Sequence, residues 1–184
     1  VSNLPRYIAL LRGINVGKAK RIAMADLRAL LIELGYSGIV TLLNSGNVVF
    51  QASGGTPARH AADISAAIAK RLGLEVPVVV KTAEELSTIV AENSLAEKAI
   101  DPSRLLVVFA QDNAALAGLD AVSSLVAEPE ALLSGKQAAY LYCATGILES
   151  KAAGALLGKS GKALTTRNWA TVLKLQALAT APET

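Results

Sequence analysis

Arg12-Gly13-Ile14-Asn15-Val16-Gly17-Lys18 carries residue types suited to gripping an anion. Four cations (Arg12, Lys18, Lys20, Arg21) fall within residues 12–21, and no acid does. Gly13 and Gly17 let the backbone turn and approach a ligand closely. Asn15 offers amide donors and an acceptor. The segment follows an apolar strand and precedes an amphipathic helix, and a basic, glycine-bearing loop in that setting can cradle an anion. A second stretch of this kind is Thr165-Thr166-Arg167-Asn168-Trp169. There Asn168 is placed to cap a helix, and Arg167 adds a guanidinium beside a helix N-terminus. Asn44-Ser45-Gly46-Asn47 reads as a hairpin tip, because glycine and asparagine tolerate positive φ.

Other chemistries find less material. Gly154-Ala155-Leu156-Leu157-Gly158-Lys159-Ser160 resembles a phosphate-binding P-loop but has three residues between its glycines where four are required. A helix also precedes it where a strand should, so Gly158 reads as a helix stop. His60 is the single histidine, near the start of a helix, and reads as a surface residue. Cys143, the single cysteine, reads as a buried structural thiol; alone, it excludes an intramolecular disulfide framework and fits a reducing compartment. No spacing of His, Cys or carboxylates matches a metal site. Asp26 and Glu33 lie seven residues apart, with no reason to act as a carboxylate pair. Tyr140 and Tyr142 share a strand face and could stack bases, but no RNA-binding signature accompanies them, and packing is the favoured reading. Trp169 also reads as a packing residue. No catalytic residue is assigned, and no cofactor or metal is expected.

The elements that must position these residues follow from periodicity. Tyr7–Leu11 is a strand. Met24, Leu27, Leu30, Leu31 and Leu34 share one face of a helix that Gly35 stops. Strands follow at Ile39–Leu43 and Val48–Phe50, then a helix over 58–72, a strand at Val76–Lys81, and a helix opened by a capping box, Thr82 with Glu85. The second half repeats this order: strand Leu105–Ala110, helix 113–125, strands Glu130–Leu133 and Gln137–Cys143, helix 150–157, strand Ala163–Thr165, and helix Asn168–Ala179. Pro129 favours a sheet edge for the second of these strands. The fold class is therefore α+β: two similar βαββαβ (ferredoxin-like) half-domains, each followed by an extra helix, an internal duplication of element order with halves at 1–95 and 96–184. This topology places Arg12–Lys18 beside Asn44–Asn47 at one end of the first sheet, and Thr145–Lys151 beside Thr165–Trp169 in the second.

Leu11-Arg12-Gly13-Ile14-Asn15-Val16-Gly17, Leu43-Asn44-Ser45-Gly46-Asn47-Val48-Val49-Phe50, Tyr140-Leu141-Tyr142-Cys143 and Thr165-Thr166-Arg167-Asn168-Trp169 together resemble the bacterial domain-of-unknown-function family 1697. The resemblance covers nearly the whole chain. It implies a two-part α/β fold and supplies no established activity. The chain departs from the family pattern at Asn44, where Gln is usual, at Lys18, where a second Gly is usual, and at Ala170, where Asn often follows the Trp.

Composition bounds the function. The 184 residues are 52% hydrophobic, enough for a packed core. No apolar run can span a bilayer and no signal peptide is read, so a cytoplasmic protein without a membrane partner is expected. Residues 1–50 carry six basic and two acidic side chains, residues 82–149 three basic and ten acidic, and residues 150–175 five basic and none acidic. Such asymmetry can recruit anions. The ligand-binding candidates are Arg12, Gly13, Asn15, Gly17, Lys18, Ser45, Gly46, Asn47, Arg167 and Asn168. They point first to binding of nucleic acid or another phosphate-bearing ligand. The alternatives are an enzyme acting on a small anionic metabolite and an interaction module whose asparagines serve only the loops.

Overall fold

The computed structural model describes residues 3–182. Two compact units make up the chain: the first runs to Leu86 and takes in the chain from Leu175 onward, and the second is Ser87–Lys174. The first unit contains β1 (Arg6–Leu11), α1 (Met24–Glu33), β2 (Ser37–Leu42), β3 (Asn47–Gln51), α2 (Pro57–Leu72) and β4 (Val78–Thr82). A helix α3 (Ala83–Glu92) follows, and the boundary between units falls within it. The sheet order is β2-β3-β1-β4, all neighbours antiparallel, which is the split βαβ arrangement. Alternation along the strands sends Tyr7, Ala9, Leu11, Val48, Phe50 and Val80 to one face. There they pack with Leu27, Leu30 and Leu31 of α1 and Ile64 and Ile68 of α2.

Local sequence explains the ends of these elements. Thr56 accepts from Arg59 N at 3.2 Å, and Pro57 opens α2. Gly73, at φ 65°, closes that helix in the left-handed conformation. The predicted capping box is formed: Thr82 N donates to Glu85 Oε2 at 2.8 Å, and Glu85 N donates to Thr82 Oγ1 at 3.0 Å.

The second unit repeats the plan with β5 (Leu105–Ala110), α4 (Asn113–Leu116), α5 (Asp120–Ser123), β6 (Ala131–Ser134), β7 (Ala138–Tyr142), α6 (Lys151–Leu157) and β8 (Leu164–Asn168). Its sheet order is β6-β7-β5-β8, with β6 at the edge as Pro129 implies. Helix α7 (Trp169–Thr180) follows and crosses the unit boundary. Leu106, Val108, Ala139, Leu141 and Cys143 form its core with Val122, Ala152, Ala153 and Leu156.

Two expectations are corrected. The single helix over 113–125 is instead two short helical segments joined by a 3-10 turn, Ala117–Leu119. Gly118 sits at the break, and a mid-helix glycine disfavours continuation by about 1 kcal/mol. The strand expected at Ala163–Thr165 runs on to Asn168, because Leu106 to Ala110 of β5 pair with all five residues of β8. Arg167 is therefore a strand residue, in register with Val107.

The P-loop-like stretch folds as a helix ending. Gly158 follows α6, and a 3-10 turn at Lys159–Gly161 brings Gly161 against the helix end. A Cβ on Gly161 would stand 1.8 Å from the Leu156 carbonyl oxygen, so its role is close backbone approach. Gly161→Ala is expected to lower stability by about 2 kcal/mol, the turn shifting outward to relieve part of the overlap. Urea unfolding checks this; an unchanged midpoint would refute the packing role.

Candidate functional site

One end of the first sheet brings the β1–α1 loop onto the β2–β3 tip. Leu11 N donates to the Gly46 carbonyl at 2.8 Å, continuing the β1–β3 ladder beyond Leu10 and Asn47. Gly46, at φ 84°, must be glycine: a Cβ there would lie 2.6 Å from Leu11 Cβ and 3.0 Å from Ile14 Cδ1. Asn15 then joins the two loops. Its Nδ2 donates to the Ile22 carbonyl at 2.9 Å and to the Asn44 carbonyl at 2.7 Å, and its Oδ1 accepts from Ile22 N at 2.9 Å. Its backbone N–H closes the loop onto the Lys20 carbonyl at 3.1 Å. Asn47 is fully buried and donates to the Leu42 carbonyl and to Ser45 Oγ, each at 2.9 Å. Both asparagines thus hold backbone in place.

Backbone strain gathers at the same corner. Among the described residues, the non-glycine positions with positive φ are Asn15 (54°), Lys20 (49°) and Leu43 (59°), and all three lie in these two loops. Gly13 (69°) and Gly17 (62°) share that region of φ and are exposed. Strained residues persist only where surrounding structure holds them, and they cluster at ligand clamps and switch regions. The corner is basic: Lys18 and Arg21 are exposed, and Lys20 Nζ donates to the Glu75 carbonyl at 2.6 Å. Arg12 is half-buried at the base of the loop, its N–H donating to the Pro77 carbonyl at 2.9 Å, and desolvation holds its guanidinium below the ordinary arginine value.

The topology therefore brings together Arg12, Gly13, Asn15, Gly17, Lys18, Ser45, Gly46 and Asn47. Arg167 and Asn168 belong to the second unit. Asn168 Oδ1 accepts from Thr171 N at 2.9 Å and caps α7. Arg167 Nη1 donates to Thr165 Oγ1 at 2.9 Å and to the Thr166 carbonyl at 2.8 Å. Burial lowers its pKa to about 10, so it carries its charge at neutral pH. Trp169, beside them, is buried.

His60 is corrected: it is buried. Its Nδ1 is paired with the Tyr36 hydroxyl at 2.8 Å, and its ring meets Tyr7, Tyr36 and Phe50 at centroid separations of 4.6, 5.2 and 5.6 Å. Spacing held the clue, since His60, Ile64 and Ile68 lie four residues apart along the apolar stripe of α2. Desolvation lifts the Tyr36 hydroxyl to a pKa of about 12. Cys143 is buried and free, and burial raises its thiol above the ordinary value. Tyr140 is buried, its hydroxyl donating to the Ile89 carbonyl at 2.6 Å. Among the described residues no cluster of three or more His, Cys, Asp or Glu is arranged to hold a metal ion, and no helix is long and apolar enough to cross a membrane.

Two units, each a four-stranded antiparallel sheet of split-βαβ order with helices between the strands, place the chain in the α+β class. The chain belongs to the family described as protein of unknown function (DUF1697), whose model matches residues 4–140. Among solved structures it is similar to the conserved bacterial protein SP0830 from Streptococcus pneumoniae, at 25% identity and a TM-score of 0.79, covering 96% of this chain and 99% of that one. A comparison with the curated proteins gives no match.

Proposed function

We propose that the protein binds a phosphate-bearing anion at the corner formed by the β1–α1 loop and the β2–β3 tip. The observation that carries this reading is the commitment of the Asn15 amide to a left-handed loop that displays Lys18 and Arg21 beside Arg12 and Lys20. A preorganised cationic loop loses little conformational entropy when an anion docks. Exposed Gly13 and Gly17 allow backbone approach to phosphate oxygens.

The paired variant Arg12→Ala/Lys18→Ala tests this. Affinity for inorganic polyphosphate or a short single-stranded RNA is expected to fall about 10-fold or more, and the salt dependence to flatten by about one charge equivalent for each cation removed. Stability should stay near wild type for Lys18, which is exposed. Wild-type protein that binds neither polyanion at low salt would refute the reading. The hydrogen bonds of Asn15 and Asn47 also support a purely structural role for the motifs. On that reading, Arg12→Ala costs stability while no anion binds at all.

A further inference from the structure

Two exposed aliphatic side chains stand at the corner, and the fold does not account for them. Val16 is 71% exposed and Leu43 is 56% exposed. They adjoin Asn15 and Asn44, the residues whose 2.7 Å hydrogen bond ties the two loops together. Leu43 is also left-handed, at φ 59°. An L residue with a bulky side chain is disfavoured there by about 1–2 kcal/mol, whereas glycine or asparagine fits such a turn. An exposed, left-handed leucine therefore serves neither core packing nor turn geometry. Val16 lies between two left-handed residues, Asn15 and Gly17, and contributes nothing to the buried core.

We infer that this corner docks on an anionic lipid surface, with Val16 and Leu43 entering the headgroup–acyl boundary, exposed Lys18 and Arg21 meeting the lipid phosphates, and Arg12 and Lys20 adding positive charge behind them. This rests on the anion-binding reading above and names the source of the phosphate. The combination of chemistries favours lipid over nucleic acid. Base recognition uses aromatic platforms or free amides; the neighbouring tips here are aliphatic, and the Asn15 and Asn47 amides are committed to backbone carbonyls. Basic side chains near an anionic leaflet add to apolar insertion. The charge is complementary, for residues 12–25 hold four cations and no acid. Glu75 meets the corner through its carbonyl, in the bond from Lys20. Among the described residues no helix is long and apolar enough to cross a membrane, and docking on a lipid surface requires none.

Flotation with phosphatidylcholine vesicles, with and without phosphatidylglycerol, tests the inference alongside binding to inorganic polyphosphate. Wild type should bind the phosphatidylglycerol vesicles and not the neutral ones. Val16→Ser/Leu43→Asn should lose vesicle affinity by about 10-fold or more, from the apolar surface withdrawn, while polyphosphate binding holds within about two-fold. Asparagine tolerates the left-handed backbone, so this variant should unfold no earlier than wild type in urea. Arg12→Ala/Lys18→Ala should lose both ligands. Wild type that binds polyphosphate but not anionic vesicles overturns the lipid inference and leaves anion binding standing. The same holds if the apolar variant binds vesicles as wild type does, or if it loses both ligands. Binding to neither ligand overturns both readings.

Discussion

Replacing His60 with alanine is expected to lower stability by about 4 kcal/mol. The change removes a ring packed among Tyr7, Tyr36 and Phe50 and strips the buried Tyr36 hydroxyl of its 2.8 Å partner. Large-to-small core substitutions cost about 2–5 kcal/mol, and an orphaned buried polar group about 1–3 kcal/mol. On one side the ring lies close against the backbone. Gly55, at φ 104°, has no room for a Cβ, which would lie 2.8 Å from both Cε1 and Nε2 of His60. Tyr7 ties the same loop down, its hydroxyl donating to the Gly55 carbonyl at 3.2 Å. His60→Phe should recover the packing but not the partner for Tyr36, and so should fall between wild type and His60→Ala.

The same residue gives the pH dependence. Desolvation lowers the His60 pKa below its ordinary 6.5; the Gly54 backbone and Asp63 pull the other way, while Arg59 adds to the lowering. The folded state therefore holds the ring neutral at pH values where the unfolded chain takes a proton. Stability contributed by this site is fully present above pH 6.5, and it declines as pH falls below that value toward the depressed folded pKa. The chain has one histidine, and histidine is the side chain whose ordinary charge change falls in this range of pH. A decline in urea midpoint between pH 7 and pH 5.5 in wild type, absent in His60→Gln, is the expected result. A decline of equal size in both proteins would assign it elsewhere.

His60 also shows how far the chain can be read before folding. Continuous apolar runs find the central strands, which are buried along nearly their whole length, apolar periodicity finds the long helices, and Thr82 with Glu85 marks a helix start that the hydrogen bonds confirm. A histidine on the apolar stripe reads as polar by type, and its partners Tyr7, Tyr36 and Phe50 come from distant parts of the chain. The break at Gly118 is local, the glycine weakening the helix there, whereas the extension of β8 to Asn168 is a tertiary outcome, set by the ladder offered by β5. At the basic corner, topology alone makes neighbours of the β1–α1 loop and the β2–β3 tip. What the residue types cannot give is the division of labour. Asn15 and Asn47 look like ligand donors in the sequence, and they bond backbone carbonyls in the structure. Val16 and Leu43 are apolar by type, and they are exposed.

Asn15 is the residue through which loop architecture and anion binding are separable. Asn15→Gly keeps the left-handed conformation at φ 54° open while deleting two donated hydrogen bonds and one accepted. At about 1 kcal/mol for each bond, it should cost about 3 kcal/mol. Asn15→Ala deletes the same bonds and adds the left-handed penalty of about 1 kcal/mol, and should be the less stable of the two. Asn15→Asp keeps the acceptor for Ile22 N but sets a carboxylate against the Ile22 and Asn44 carbonyls, so it should be worse than glycine despite its closer shape. The order Asn, Gly, then Ala and Asp in urea midpoints is the expected series. Asn15→Gly should also weaken polyphosphate binding although no cation is lost, with the salt slope unchanged, because it loosens the frame that presents Lys18 and Arg21 without altering the number of phosphates neutralised. A salt slope that falls with the affinity would mean that Asn15 helps hold a cation on the anion. Unchanged affinity would show that the loop's order matters to the fold alone.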